Sequence, residues 1–301
     1  MTIIILDSFS LIHRVYHALP ALTDLNGNPT GAVYGFCSIL IKLFREQRPD
    51  CIYAAFDTKG PTFREHEFEA YHTNRPEMAD DFRSQIEPIK EFLRTWDIPV
   101  LAASGFEGDD IIGTLVSRLR GQSDARIRIV TADRDSLQLV SDNVTAMIMR
   151  KGITDIVEYD EKTCQAYLGF HQQFMPDYKA LAGDASDNFP GVRGIGPKTA
   201  QALVQKFGTI EKMYAYLDST DAQAYEKPVT KAIAEKLLIG RATALQAKYL
   251  ATIRADAPID IGGAACAAKT QPTQATKEFL IKRGFVSLLK RLDAASQGTL
   301  L

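Results

Sequence analysis

Gly183-Asp184-Ala185-Ser186-Asp187-Asn188-Phe189-Pro190-Gly191-Val192-Arg193-Gly194-Ile195-Gly196-Pro197-Lys198-Thr199-Ala200 sets two unlike signals side by side. Asp184 and Asp187 are spaced so that one helical turn brings their carboxylates to one face. Directly after them, Gly194-Ile195-Gly196 predicts a glycine hairpin that leads into a helix with Pro197 in its first turn. Such a hairpin offers bare backbone N–H groups to a phosphate, with a helix N-terminus behind them. Acids fit to hold metal therefore adjoin an element fit to grip a nucleic-acid backbone.

Upstream of this stretch, apolar runs alternate with helical periodicity. Strands are expected at 2–6, 51–56, 98–102 and 127–131, with shorter ones near 144–149 and 153–158. Helices are expected at 10–19, 31–47, 82–96 and 107–120. The alternation implies a mostly parallel sheet, and continuous apolar strands fit a sheet covered on both faces. Ligands of open sheets bind beyond the carboxyl ends of the strands. Asp7, Asp57 and Asp133 each follow such an end, and Glu107-Gly108-Asp109-Asp110 opens a helix that can add three more acids. From about 160 the pattern is all-helical: 160–168, 176–182, 197–206, 209–217, 229–247 and 276–292, with a loose Ala/Gly/Pro/Thr-rich linker over 255–275. Three parts are expected: an α/β domain over 1–165, a helical region over 166–260, and a linker with a C-terminal helix over 261–301.

The chain has 301 residues and a net charge of −2, with the composition of an ordinary soluble globular protein. No apolar run approaches the length of a membrane span, and Met1–Asp7 reads as a first strand, not a signal peptide. Cys37, Cys51, Cys164 and Cys266 lack zinc-type spacing, so reduced cytosolic thiols are expected. Nine acids recur in the motifs: Asp7, Asp57, Glu107, Asp109, Asp110, Asp133, Asp135, Asp184 and Asp187. With those nine set aside as metal ligands, 28 acidic residues face 35 basic ones, and the remaining surface is phosphate-attracting.

Carboxylates gathered in one pocket repel, so the set is tolerable only around cations or with shared protons. Oxygen-only ligands suit Mg2+ or Mn2+, and two such ions can drive phosphodiester cleavage. A lone aspartate of this kind is more often a helix cap or turn residue; the full set at strand ends is what favours metal. Gly191 to Ala200 resembles a helix-hairpin-helix motif, with Gly191, Gly194, Gly196, Lys198 and Thr199 as backbone-phosphate contacts. The plain alternative is an αα turn with a glycine cap. The charged stretch 59–81, with Arg64, His66, Tyr71, His72 and Arg75, suits either a solvated loop or a flap over single-stranded nucleic acid. Arg14, seven residues beyond Asp7, is a further candidate contact.

Together, Leu6-Asp7-Ser8, Phe56-Asp57-Thr58-Lys59-Gly60-Pro61-Thr62-Phe63-Arg64, Phe106-Glu107-Gly108-Asp109-Asp110, Thr131-Ala132-Asp133-Arg134-Asp135 and Gly183-Asp184-Ala185-Ser186-Asp187-Asn188 resemble the 5′-nuclease domain of bacterial DNA polymerase I, within the wider flap endonuclease family. The resemblance covers nearly the whole chain. It implies a PIN-like α/β fold with a helical region containing a helix-three-turn-helix. It also implies metal-dependent cleavage of 5′ flaps and 5′ ends, on DNA and on RNA primers paired to DNA, in replication and repair. By motif position all nine acids match metal-site acids. The resemblance-based reading puts Asp7, Asp57, Glu107, Asp109 and Asp110 nearer one Mg2+ or Mn2+, and Asp133, Asp135, Asp184 and Asp187 nearer a second. Asp7, Asp57, Asp109 and Asp135 form the expected catalytic set with Arg64, which would approach the scissile phosphate. The 59–81 stretch matches an arch that a 5′ single strand traverses, and the hairpin would hold K+ on main-chain carbonyls.

Three features depart from the family pattern. His72 follows Tyr71 where relatives carry lysine, which replaces a permanent cation with a titrating one. His13 replaces a stacking aromatic, and the chain stops at Leu301 where polymerase parts would follow. A free-standing or excised cytoplasmic nuclease is expected, monomeric, with DNA as partner and a separate DNA polymerase as another. A non-catalytic junction binder gains nothing from repelling phosphates with acids. A PIN-type ribonuclease for single-stranded RNA does not need the hairpin glycines.

Overall fold

At the centre of a six-stranded sheet lies β1 (Thr2–Asp7), in the computed structural model that describes residues 1–24, 26–122, 124–152, 155–261 and 271–297. Following it are α1 (Ser8–Ala18), α2 (Gly31–Gln47), β2 (Cys51–Ala55), α3 (Phe63–Glu67), α4 (Asp80–Arg83), α5 (Ile86–Thr95), β3 (Val100–Leu101), α6 (Gly108–Leu119) and β4 (Arg126–Thr131). Then β5 (Val144–Lys151) and β6 (Asp155–Tyr159) complete the sheet. The order is β3-β2-β1-β4-β5-β6; every pairing is parallel except β5 with β6.

Why β1 reads as one unbroken apolar run is visible in its packing. Ile4 and Leu6 point into a core with α1, α2 and α5, while Ile3 and Ile5 point into a second core against α6. Both faces are covered, so period-two alternation disappears. Residues 252–259 belong to the α6 side. Ala257 and Ile259 are buried there, Ala257 N–H donates to Thr114 Oγ1 (3.0 Å), and Arg118 Nη1 donates to the Ile259 carbonyl (2.6 Å). The start of the expected loose linker is thus a packed extended segment, because its apolar side chains cover α6; residues 262–270 lie outside the described ones.

Helices fill the rest: α7 (Glu161–Leu168), α8 (Met175–Ala182), α9 (Pro197–Phe207), α10 (Ile210–Ser219), α11 (Lys231–Ile239), α12 (Arg241–Ala251), α13 (Gln274–Lys282) and α14 (Val286–Gln297). Helices α8 to α12 surround a third core, whereas α13 and α14 join that of α2 and α5. Three expected helices are each broken in two. Pro88 lacks an N–H and its ring opposes the carbonyl of Ser84, so α4 and α5 cannot run on as one helix. Gly240 separates α11 from α12, and Gly284 separates α13 from α14. Among the described residues no helix is long and apolar enough to cross a membrane. Cys37 and Cys164 are free and buried, but Cys51 is disulfide-bonded, a departure from four reduced thiols. Spacing along a chain does not report which thiols the fold brings together.

Candidate metal centre and nucleic-acid interface

Parallel register aligns the carboxyl ends of β1, β2 and β4, and so delivers Asp7, Asp57 and Asp133 to one edge. Asp7 is also the N-cap of α1, accepting from Ser10 N–H at 3.3 Å. Thr131 Oγ1 donates to Asp7 and accepts from Asp133 N–H (2.8 Å), which links the ends of β1 and β4. Asp57 accepts from Gly108 N–H at 2.8 Å, the first turn of α6. Burial, then the charges of Asp133 and Asp57, raise Asp7 to about 6 against the hydrogen bonds of Ser10 and Thr131. Burial likewise raises Asp57, and it raises Glu107 against the pull of Arg64. Asp109 lies well above the usual carboxylate range, through burial and then the fields of Asp7, Asp133, Asp135 and Glu107. These mutual fields make the acids one electrostatic unit.

Among the described residues, Asp135, Asp184 and Asp187 form a group with one oxygen of each within 4.8 Å of the others. Asp184 and Asp187 meet through a tight turn, not the helical turn expected. Backbone bonds between Asp184 and Phe189 (3.0 and 3.1 Å) close it, and Asp184 Oδ1 accepts from Ser186 N–H (2.8 Å). The buried ammonium of Lys179, on α8, pairs with both Asp135 and Asp184. A cation already stands between two of the three carboxylates, so the donor set fits a cation. Burial and then Asp133 and Asp187 take Asp135 up to about 7, although Lys179 opposes them. Burial pushes the other two acids upward too, but Lys179 and Ser186 hold Asp184 low, and His72, Lys179 and Arg75 hold Asp187 at about 2. Lys179 escaped the sequence reading. Its signal is a lysine inside the short, mostly buried helix Met175–Ala182, where a charge needs a partner.

Arg64 and Asp110 stand apart from this cluster. Asp110 is fully buried, and its two oxygens accept from Arg64 Nη1 (2.7 Å) and Nη2 (2.9 Å), Glu107 N–H (3.1 Å) and Arg254 N–H (2.9 Å). Arg64 also donates to the carbonyls of Leu250 (2.7 Å) and Thr252 (3.0 Å) and lies 3.2 Å from Glu107; only 2% of it is exposed. Arg64 and Asp110 thus engage each other's polar atoms, and backbone groups take up the rest of their hydrogen-bonding capacity.

The arch segment packs on the acids. Tyr71 is buried, stacks on His72 (centroids 3.8 Å apart) and donates to Glu107 at 3.3 Å. His72 Nε2 and Arg75 Nη2 lie 3.1 and 2.7 Å from the same Asp187 oxygen. Arg14 is partly exposed on α1, about two turns past Asp7.

In the hairpin, Val192, Ile195 and Ala200 are buried anchors, while Arg193, Gly194, Gly196 and Lys198 are exposed and Thr199 is partly so. Gly194 has φ +81°, which a side chain rarely tolerates, and its carbonyl accepts from Lys236 Nζ at 3.3 Å. Lys198 and Thr199, in the first turn of α9, carry N–H groups with no intrahelical acceptor. Gly191 does something else. A Cβ there would come within 2.3 Å of the Gly183 nitrogen and the Leu181 carbonyl, so this glycine lets two backbones touch.

Two family models match in tandem: the 5′-3′ exonuclease N-terminal resolvase-like domain over residues 2–169 and the 5′-3′ exonuclease C-terminal SAM fold over residues 170–274. The chain belongs to the 5′-3′ exonuclease family. DNA polymerase I of Caldicellulosiruptor bescii is 37% identical over 294 residues, 97% of this chain and 33% of that protein. This chain spans about a third of the length of the curated relatives it matches. Among solved structures, T5 5′-exonuclease with zinc bound superposes with a TM-score of 0.67 at 18% identity, over 99% of both chains. A bacteriophage T5 flap endonuclease in complex with DNA and metal ions gives 0.62 at 17% identity, over 99% of this chain and 98% of that one. At these identities the likeness speaks for the fold: a mostly parallel α/β sheet followed by a helical region, as the sequence predicts.

Proposed function

We propose that this member of the 5′-3′ exonuclease family is a structure-specific nuclease acting at 5′ ends and 5′ flaps of DNA, and on RNA primers paired to DNA. The observation that carries the reading is the convergence of acids from separate elements on one sheet edge: the ends of β1, β2 and β4, the start of α6, and the 184–187 turn. In this reading the α/β part ends near residue 165, and the region 166–260 holds the duplex while lending Asp184 and Asp187 to the centre.

Two bound Mg2+ or Mn2+ ions would activate water and stabilise the leaving oxygen. Asp135, Asp184 and Asp187, with Asp133, would hold one; Asp7, Asp57 and Asp109, with Glu107, would hold the other. Asp110 and Arg64 serve by fixing the start of α6, from which Asp109 projects. Exposed hairpin N–H groups with Lys198 and Thr199 grip the duplex backbone without reading bases. Arg14, His72 and Arg75 supply positive charge where a single strand approaches. A K+ ion on the hairpin carbonyls would meet Lys236, whose ammonium already sits at Gly194. We infer a monomer that works in the cytoplasm.

Product mapping tests this. A 5′-flap duplex and free single-stranded RNA are each incubated with Mg2+ or with EDTA. Cuts at the flap junction in Mg2+ alone are expected. Tight duplex binding without cleavage would leave a junction binder, and preference for the free RNA would leave a single-strand ribonuclease.

A further inference from the structure

The contacts between the arch and the acid turn form a continuous seam. His72 N–H donates to the Asp187 carbonyl (3.2 Å), and Asn74 donates to the Ala185 carbonyl (2.8 Å). From the other side, the Asn188 amide donates to the Ala70 carbonyl (2.7 Å) and to Thr73 Oγ1 (2.9 Å). At the centre, His72 and Arg75 both address one carboxylate oxygen of Asp187. His72 (φ +58°) and Asn188 (φ +59°) both take the left-handed backbone region, one on each side. Asparagine and histidine are among the non-glycine residues that enter this region most readily, and the seam's hydrogen bonds suit it.

We propose that this seam is a metal-released latch: residues 70–75 of the arch are docked on the 184–189 turn through Asp187, and a divalent cation in the Asp135–Asp184–Asp187 group competes with the arch for that carboxylate. The inference rests on the metal reading above and goes beyond it. Asp187 faces two sets of partners that draw on the same negative charge: His72 and Arg75, which share one of its oxygens, and any cation held with Asp135 and Asp184. Negative charge drawn toward a divalent ion is withdrawn from Arg75 and His72, and those two cations repel an ion arriving beside them. Metal binding and arch docking are then coupled with negative sign, and the coupling is reciprocal. Asn188 is the positioning residue. It ties the turn to the arch but offers no carboxylate, so it adjusts the latch without belonging to the metal site. The arch lies down on the acids through these contacts, and an ion at the centre would free it for the incoming strand.

Hydrogen exchange of the 301-residue chain, without DNA, reads the latch directly through the His72 amide. Calorimetric titration with Mg2+ reports occupancy in the same buffer. Exchange over 70–75 is expected to quicken about tenfold between EDTA and saturating Mg2+, within the roughly 5- to 150-fold usual for coupled sites. Asn188→Ala is expected to show the fast exchange already in EDTA and to bind Mg2+ tighter by a similar factor. Arg75→Gln serves as a second variant should Asn188→Ala fold poorly, with the same expectation. Mg2+ binding with unchanged exchange at 70–75 would overturn the latch and leave the metal reading standing. So would unchanged Mg2+ affinity in a folded latch variant. Absence of any binding heat would remove the metal reading and the latch with it.

Discussion

Asp135 and Asp7 carry protons at pH values where ordinary aspartates have lost them, since burial and neighbouring acids raise them to about 7 and about 6. The sign of the stability effect follows. Between about pH 4 and 7 the folded, metal-free protein binds more protons than the unfolded chain, so its stability falls as pH rises. Asp184 and Asp187, held low, contribute stability that is complete above about pH 4 and lost only in stronger acid. Lys179, raised, keeps its contribution throughout the range below its ordinary value. Thermal melts in EDTA should therefore drop from pH 5 to pH 8, and added Mg2+ should raise the melt most at pH 8. A melt that rises over that range in EDTA would contradict the shared burial of these acids. Lys179 itself gives a second test. Lys179→Met leaves Asp135 and Asp184 without their buried cation, a loss of roughly 3–5 kcal/mol for a broken buried pair. Urea titration in EDTA should show it, and Mg2+ should recover part of it; an unchanged midpoint would mean that the pairing contributes nothing.

Elements are held to one another through single side chains. Arg64 starts from α3, clamps Asp110 at the first turn of α6, and reaches the carbonyls at the end of α12. Lysine cannot reproduce that planar fork. Arg64→Lys should lower stability by roughly 3 kcal/mol, in the range for a disrupted buried charge pair, with turnover falling through misplacement of α6. Normal thermal stability with abolished cleavage would instead return Arg64 to the scissile phosphate. Gly194 makes a contrasting case. A valine there meets a φ of +81° and crowds Lys236 at 3.1 Å. Gly194→Val should weaken duplex binding alike for all sequences in filter-binding or anisotropy assays, since no base contact is lost. Loss for some sequences only would mean that the hairpin reads bases.

Across the whole molecule, what was legible in the sequence was what a single strand or turn declares by itself. An apolar run closed by aspartate, as at Leu6-Asp7 and Phe56-Asp57, marks a buried strand and the edge where its acid emerges. Pairing was not legible, because it depends on elements far apart in the chain. Nothing near Arg64 announces Leu250 and Thr252, and nothing near Asp187 announces His72 and Arg75. For the same reason nothing near Asp110 announces that Arg64 and two backbone N–H groups engage its oxygens. The helix breaks at Pro88, Gly240 and Gly284 lie between. The residues are plain to see, but apolar periodicity runs straight through them.

If acids from separate elements act as one metal-dependent cleavage centre while the hairpin holds DNA independently, cleavage and binding separate in single variants. Single-turnover cleavage of a 5′-flap duplex, with duplex affinity measured in parallel for the unaltered protein and for Asp135→Asn, tests it most directly. The expected result is cleavage at the junction in Mg2+, none in EDTA, and a rate lowered by about two to three orders of magnitude in Asp135→Asn, the scale for losing one preorganised electrostatic group, at nearly unchanged affinity. Undiminished cleavage in EDTA, or in Asp135→Asn, would contradict it.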